Sequence, residues 1–87
     1  MATNYYNLDD TSKRVLRAIR ERGVAPGWQV MSEASVTADD LVKAASTLVD
    51  MGLIKTSGGA LNSKEIEQAY FNILPSNARL TEMILSA

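Results

Sequence analysis

Apolar residues recur along the chain with helical spacing in three places, and each place is bounded by residues that start or stop helices. The first run spans 12–22. Val15, Leu16 and Ile19 share one face with Ala18 at its edge, while Lys13, Arg14, Arg17 and Arg20 fall on the other. Asp10 or Thr11 is expected to cap its backbone N–H groups, and Gly23 supplies the left-handed stop. Val24-Ala25-Pro26-Gly27 breaks the pattern, and a short mixed segment, 28–34, has room for a second helix before Ser35-Val36. The third run is the strongest. Thr37-Ala38-Asp39-Asp40 reads as a capping box with Asp in place of Glu. Leu41, Ala44, Ala45, Leu48 and Met51 then share one side, widened by Val42 and Val49, so this helix is expected to be the most buried element; Gly52 ends it.

Beyond Gly52 the period shortens. Leu53-Ile54-Lys55-Thr56 is strand-like and Ser57-Gly58-Gly59 is a turn signal. The stretch 62–68 allows two readings: Asn62 and Glu65 capping a short helix, or Glu65-Ile66-Glu67 opening a strand. A second strand is expected over 69–74, carrying Tyr70, Phe71 and Ile73, with Pro75 ending it. Ser76 can cap a last helix over 77–86, with Leu80, Met83 and Ile84 inward. Residues 1–10 read as an N-terminal arm, either loose or docked by Tyr5 and Tyr6, and 11–87 as one domain.

This order of helix, short helix, tight turn, long helix, strand, glycine turn, strand and helix resembles the winged helix-turn-helix domain of prokaryotic transcription regulators. The resemblance covers 11–85. It is carried best by Leu41-x3-Ala45-x2-Leu48-x3-Gly52-Leu53-Ile54, in which the long helix runs into the wing. A second echo is Phe71-Asn72-Ile73-Leu74-Pro75 followed by Ala78-Arg79-Leu80. Two positions depart from the family pattern: Met31 stands where a small residue is usual, and Ser35 stands at the turn glycine. The implied fold is mainly α with a small β-hairpin (α+β): a three-helix core, a wing and a C-terminal helix. Capped helices of these lengths alone also fit a plain helical bundle.

Composition narrows the function by exclusion. The 87 residues hold no Cys and no His, which removes disulfides, thiolate nucleophiles, imidazole bases and nearly every transition-metal site. No apolar run approaches the ~18 residues of a membrane span, so a cytoplasmic protein without membrane contact is expected. Asp9-Asp10 and Asp39-Asp40 sit at helix caps and make no acid/base dyad. No enzyme, metal or cofactor is expected. The aromatics are interleaved with acids, so core packing is the expected role of Tyr70 and Phe71.

Charge is close to balanced, net −1, but uneven: 12–22 holds five of the nine Lys and Arg with only Glu21 against them. The resemblance implies a small DNA-binding transcription regulator acting as a homodimer on double-stranded DNA. Its long helix would place Thr37, Lys43, Ser46 and Thr47 in the major groove, with Lys13, Arg14, Lys55 and Lys64 on phosphates. The outward face of that helix also carries Asp39 and Asp50, which oppose DNA. The alternative is therefore a winged-helix protein-interaction module. It would meet an acidic partner through Arg14, Arg17 and Arg20, or a basic one through the Asp39 and Asp50 face; under either reading Leu80, Ile84 and Leu85 can join two copies.

Overall fold

The computed structural model describes residues 8–86. The expected contribution of Tyr5 and Tyr6 lies outside them.

Helix α1 (Asp10–Arg22) begins two residues earlier than the apolar periodicity required. Asp9 takes the extended N-cap conformation without a side-chain cap, so neither Asp10 nor Thr11 performs that role. Asp10 instead lies within the first turn, 3.2 Å from Arg14, one turn along the same face. The helix stops at Gly23, as expected, and the Gly23 N–H donates to the Ile19 carbonyl at 2.9 Å; with φ 79° and ψ −60°, however, the glycine is not in the left-handed helical conformation anticipated for it.

Val24–Pro26 then forms a strand, β1, that local pattern did not reveal. Three residues ending in proline carry little strand propensity, and Pro26 has no N–H to donate. Such a segment is tolerated only at a sheet edge, where pairing with a neighbour defines it. Helix α2 (Gly27–Ala34) follows directly, and Ser35 turns the chain with φ 55°.

Helix α3 (Ala38–Asp50) opens on the expected cap: Thr37 Oγ1 accepts from the Asp40 N–H at 3.2 Å. It closes on a paired carbonyl lock around Gly52 (φ 74°). Gly52 N–H donates to Val49 O at 2.9 Å and Leu53 N–H to Leu48 O at 3.0 Å. Both Leu48 and Leu53 are fully buried, so the stop is packed as well as hydrogen-bonded.

Strand β2 (Ile54–Ser57) and strand β3 (Tyr70–Ile73) pair antiparallel, and β1 adds to the far side of β3. The sheet order is β1-β3-β2, so three strands replace the expected two. Alternation puts Phe71 inward between Ala25 and Thr56, while Tyr70 and Asn72 face outward with Lys55 and Ser57. Phe71 is fully buried but Tyr70 is 49% exposed, so only one of the two packs in the core.

The ambiguous stretch resolves as the capped form. Asn62 Oδ1 accepts from the Lys64 and Glu65 N–H groups at 3.0 and 2.9 Å, leading into a 3₁₀ turn at Ile66–Gln68. After β3, a 3₁₀ turn at Pro75–Asn77 delivers helix α4 (Ala78–Ser86). The phase of α4 is set by Asn77, whose side-chain N–H donates to Gly52 O at 2.6 Å. That tether turns Thr81 and Ile84 inward; Leu80 is half-buried and Met83 is 45% exposed rather than inward.

One core joins these elements. Val15, Leu16 and Ile19 of α1 meet Leu41, Ala45 and Leu48 of α3, with Ile54, Ile66, Phe71 and Ile84 closing it. Over equal lengths α1 buries five residues and α3 four, so α1 and not α3 is the most enclosed helix. The difference lies in Val42, Val49 and Met51, which widen the stripe of α3 but stay half-buried at its edges.

Candidate nucleic-acid interface

Three columns of side chains follow from the way α3 lies on the core. Leu41, Ala44, Ala45 and Leu48 face inward. Asp39, Lys43, Ser46 and Asp50 run down the opposite side. Asp40, Lys43 and Thr47 form the flank that turns toward the N-terminus of α1, where they share a groove with Asp9, Thr11 and Ser12.

Each expected contact residue can be placed on this frame. Lys43 and Thr47 are exposed and Ser46 is half-buried. Thr47 Oγ1 donates to Lys43 O at 3.1 Å, so its hydroxyl proton is held by the backbone while its methyl is presented outward. Thr37 is exposed, but its hydroxyl oxygen is occupied as the α3 cap. Lys55 stands on the outer face of the sheet, opposite Asn72. Lys64 lies within the β2–β3 connection, in the segment organised by Asn62. Lys43 on α3 and Lys55 and Lys64 on the wing therefore occupy separate elements, and Lys13 is half-buried on α1.

The basic character of α1 is largely consumed within the fold. Arg20 reaches Glu82 of α4 at 2.8 Å and lies 4.0 Å from Glu21, and Arg22 Nε donates to Glu33 of α2 at 2.7 Å. Arg14 Nε pairs by distance with Asp10 but lacks hydrogen-bond alignment. Linear sequence hides this because Glu33 and Glu82 are distant in the chain. Among the described residues, Lys13, Arg17, Lys43, Lys55, Lys64 and Arg79 are the cations outside ion pairs. The charge available to a partner is thus spread over α1, α3, the wing and α4, and Arg20 is not part of a free patch.

A second groove, between α1 and α2, has Ala18 and Ala34 as its floor and Arg14, Arg17, Glu21 and Glu33 around it. On α4, Ile84 is fully buried in the domain's own core, so it presents no surface; Leu80 and Leu85 are half-buried against that core. The exposed apolar side chains of the described residues are Val24, Trp28, Tyr70 and Met83. Among the described residues no helix is long and apolar enough to cross a membrane.

A scan against protein-family models and a search of curated proteins return no match. Among solved structures, the chain is similar to BpsR of Bordetella bronchiseptica, from work on how 6-hydroxynicotinic acid regulates the DNA binding of that protein. The two chains are 15% identical with a TM-score of 0.74, over 97% of this chain and 61% of BpsR. The present chain thus spans about three-fifths of the length of that neighbour. Element order, the three-stranded antiparallel sheet and this likeness agree on one architecture: the chain has an α+β winged-helix fold.

Proposed function

We propose that this chain is a winged-helix DNA-binding domain of a transcription regulator. The observation that carries the reading is the separation of its unpaired lysines: Lys43 on the outward side of α3, Lys55 on β2 and Lys64 in the β2–β3 connection. In this arrangement α3 enters the major groove with Lys43, Ser46 and Thr47 toward base edges, while Thr37 caps its tip. Lys13, Lys55 and Lys64 meet phosphates on either side, adding affinity without sequence information. Arg14 is held by Asp10 and contributes less than the sequence pattern suggested. The likeness to BpsR, a protein whose DNA binding is regulated, supports the same reading. A homodimer would place two such helices on two half-sites; with Ile84 buried, the outer side of α4 around Met83 and Leu85 is the surface available for it.

Lys43→Glu tests the reading. It reverses the one cation on the outward column of α3, whose other charges are Asp39 and Asp50. Duplex binding by electrophoretic mobility shift should be lost while the circular-dichroism spectrum is unchanged. Retained binding would show that α3 is not the reading helix.

One observation favours a second reading. The groove between α1 and α2 presents Arg14 and Arg17 beside an Ala18–Ala34 floor, a shape suited to an acidic helix of a protein partner. Arg17→Glu should abolish such a complex without altering duplex binding.

A further inference from the structure

Tyr70 is the strand aromatic that the core leaves over. The outer face of the sheet carries two residues of each strand: Val24 and Pro26 of β1, Tyr70 and Asn72 of β3, Lys55 and Ser57 of β2. The alternate residues Ala25, Phe71 and Ile54 are buried, whereas Val24, Tyr70, Lys55 and Ser57 are exposed. Tyr70 stands in the middle of one row, between Ser57 and Pro26, with Lys55 on the diagonal about 7–8 Å away. The Cδ2 edge of its ring lies beside Gly58, where an added Cβ would come within 3.3 Å. Trp28, 58% exposed, stands at the same end of the sheet. Gly27, one residue before it, donates its N–H to the carbonyl of Ala69, one residue before Tyr70, at 2.7 Å.

From this placement we infer that the outer face of the sheet binds single-stranded DNA, with unpaired bases stacked on Tyr70 and Trp28 and the backbone held by Lys55. Aromatic rings accept any base, because every base has a π-face, and a cation beside them holds the phosphate. A duplex keeps its bases paired and stacked, so exposed rings of this kind serve unpaired nucleotides. Charge selects the partner. Lys55 is the one charged side chain among the six and none is acidic; Glu67, the acid nearest to Tyr70 in sequence, belongs to the turn before β3. Asn72 adds a donor and an acceptor for a base edge. Area argues against a second copy of this chain. Rings that bury roughly 150–250 Å² when covered offer about 100 Å² each at half exposure, against ~800 Å² per partner in a stable complex. The site goes beyond the proposed reading of duplex; only the choice of DNA over RNA rests on that reading, through Lys55, which the two share.

Trp28 is the single tryptophan of the chain, so its emission reports on one place in the fold. Oligothymidylate of about ten nucleotides, which forms no base pairs, is titrated into the full chain. Saturable quenching of Trp28 is expected. Tyr70→Leu keeps an apolar side chain and removes the ring. It should weaken oligothymidylate binding roughly 5–150-fold, the loss of one stacked base, and leave duplex affinity unchanged. Tyr70→Phe keeps the ring and should bind as the wild type does; a loss there would assign the effect to the hydroxyl and overturn the stacking. No quenching by oligothymidylate, or equal weakening of single strand and duplex by Tyr70→Leu, overturns the site. Quenching by a proline-rich peptide with none by oligothymidylate also overturns it, and gives the face to a protein partner. Tighter binding of oligouridylate overturns the choice of DNA. If the wild-type chain takes up oligothymidylate but no duplex at any salt, the proposed function falls and the single-strand site stands.

Discussion

Replacing Gly27 by alanine places one methyl group where the fold has no room for it. A Cβ built on Gly27 would stand 1.7 Å from the carbonyl oxygen of Ile66 and 2.7 Å from its carbonyl carbon. Both are backbone atoms, so no side-chain rotation relieves the contact. Restoring a 3.0 Å separation means parting α2 from the 3₁₀ turn Ile66–Gln68 by more than 1 Å. That movement also strains the Gly27 N–H bond to Ala69 O, 2.7 Å long. Overpacking costs ~1–3 kcal/mol, and loss of a buried backbone hydrogen bond adds ~1–3 kcal/mol. Alanine returns ~1 kcal/mol through its helix propensity. The net expected loss is about 1–5 kcal/mol, a large part of a total near 4–13 kcal/mol for a chain of this size. In thermal unfolding followed by far-ultraviolet circular dichroism, Tm should fall by about 4–8 °C for each kcal/mol lost. Gly23→Ala is the control, since nothing lies within 4 Å of its Cβ and only the φ of +79° resists it. Its loss should be about 1–3 kcal/mol, from backbone strain at φ 79° and ψ −60° alone. A Gly27→Ala protein as stable as wild type would refute the packing of α2 on the turn that leads into the wing.

Further consequences follow from single atoms. Ser35 holds φ 55° without being glycine; Ser35→Gly should raise Tm by a few degrees, as relief of ~1–2 kcal/mol of left-handed strain exceeds the added chain entropy of glycine. Thr81 Oγ1 is buried without a partner. Thr81→Val keeps the shape and removes the unmet hydroxyl, so urea unfolding should show about 1 kcal/mol of added stability. Lys55→Ala and Lys64→Ala should weaken every duplex alike and lower the salt dependence of log K by about 0.9 each.

Those features of the fold set by near neighbours were legible in the sequence. Thr37 with the Asp40 N–H, Gly23 and Gly52 act within one helical turn, and the structure places a cap or a stop at each, with only the Thr37 half of the capping box among the hydrogen bonds and Gly23 at ψ −60°. Features decided by distant partners were not. Strand β1 exists through its register on β3, with Val24 opposite Asn72 and Pro26 opposite Tyr70, and its own residues argue against it. The phase of α4 depends on Asn77 reaching Gly52, 25 positions away, so Thr81 replaces Met83 inside. The interface shows the same division. Lys43 was visible on the outward column of α3 from spacing alone. The apparent positive face of α1 was misleading, because Glu33 and Glu82 arrive from α2 and α4 to neutralise Arg22 and Arg20.

The central claim is that α3 enters the major groove while the unpaired lysines of α1 and the wing meet phosphate. Fluorescence anisotropy of a labelled mixed-sequence duplex, titrated with the protein across a salt series, tests it most directly. Engagement of Lys13, Lys55 and Lys64 should give Kd of about 10⁻⁴ to 10⁻⁶ M at physiological salt, and log K should fall with log salt at a slope of roughly −3. No binding even at low salt would contradict it, and would mean that Asp9, Asp39, Asp40 and Asp50 dominate the face that α3 presents.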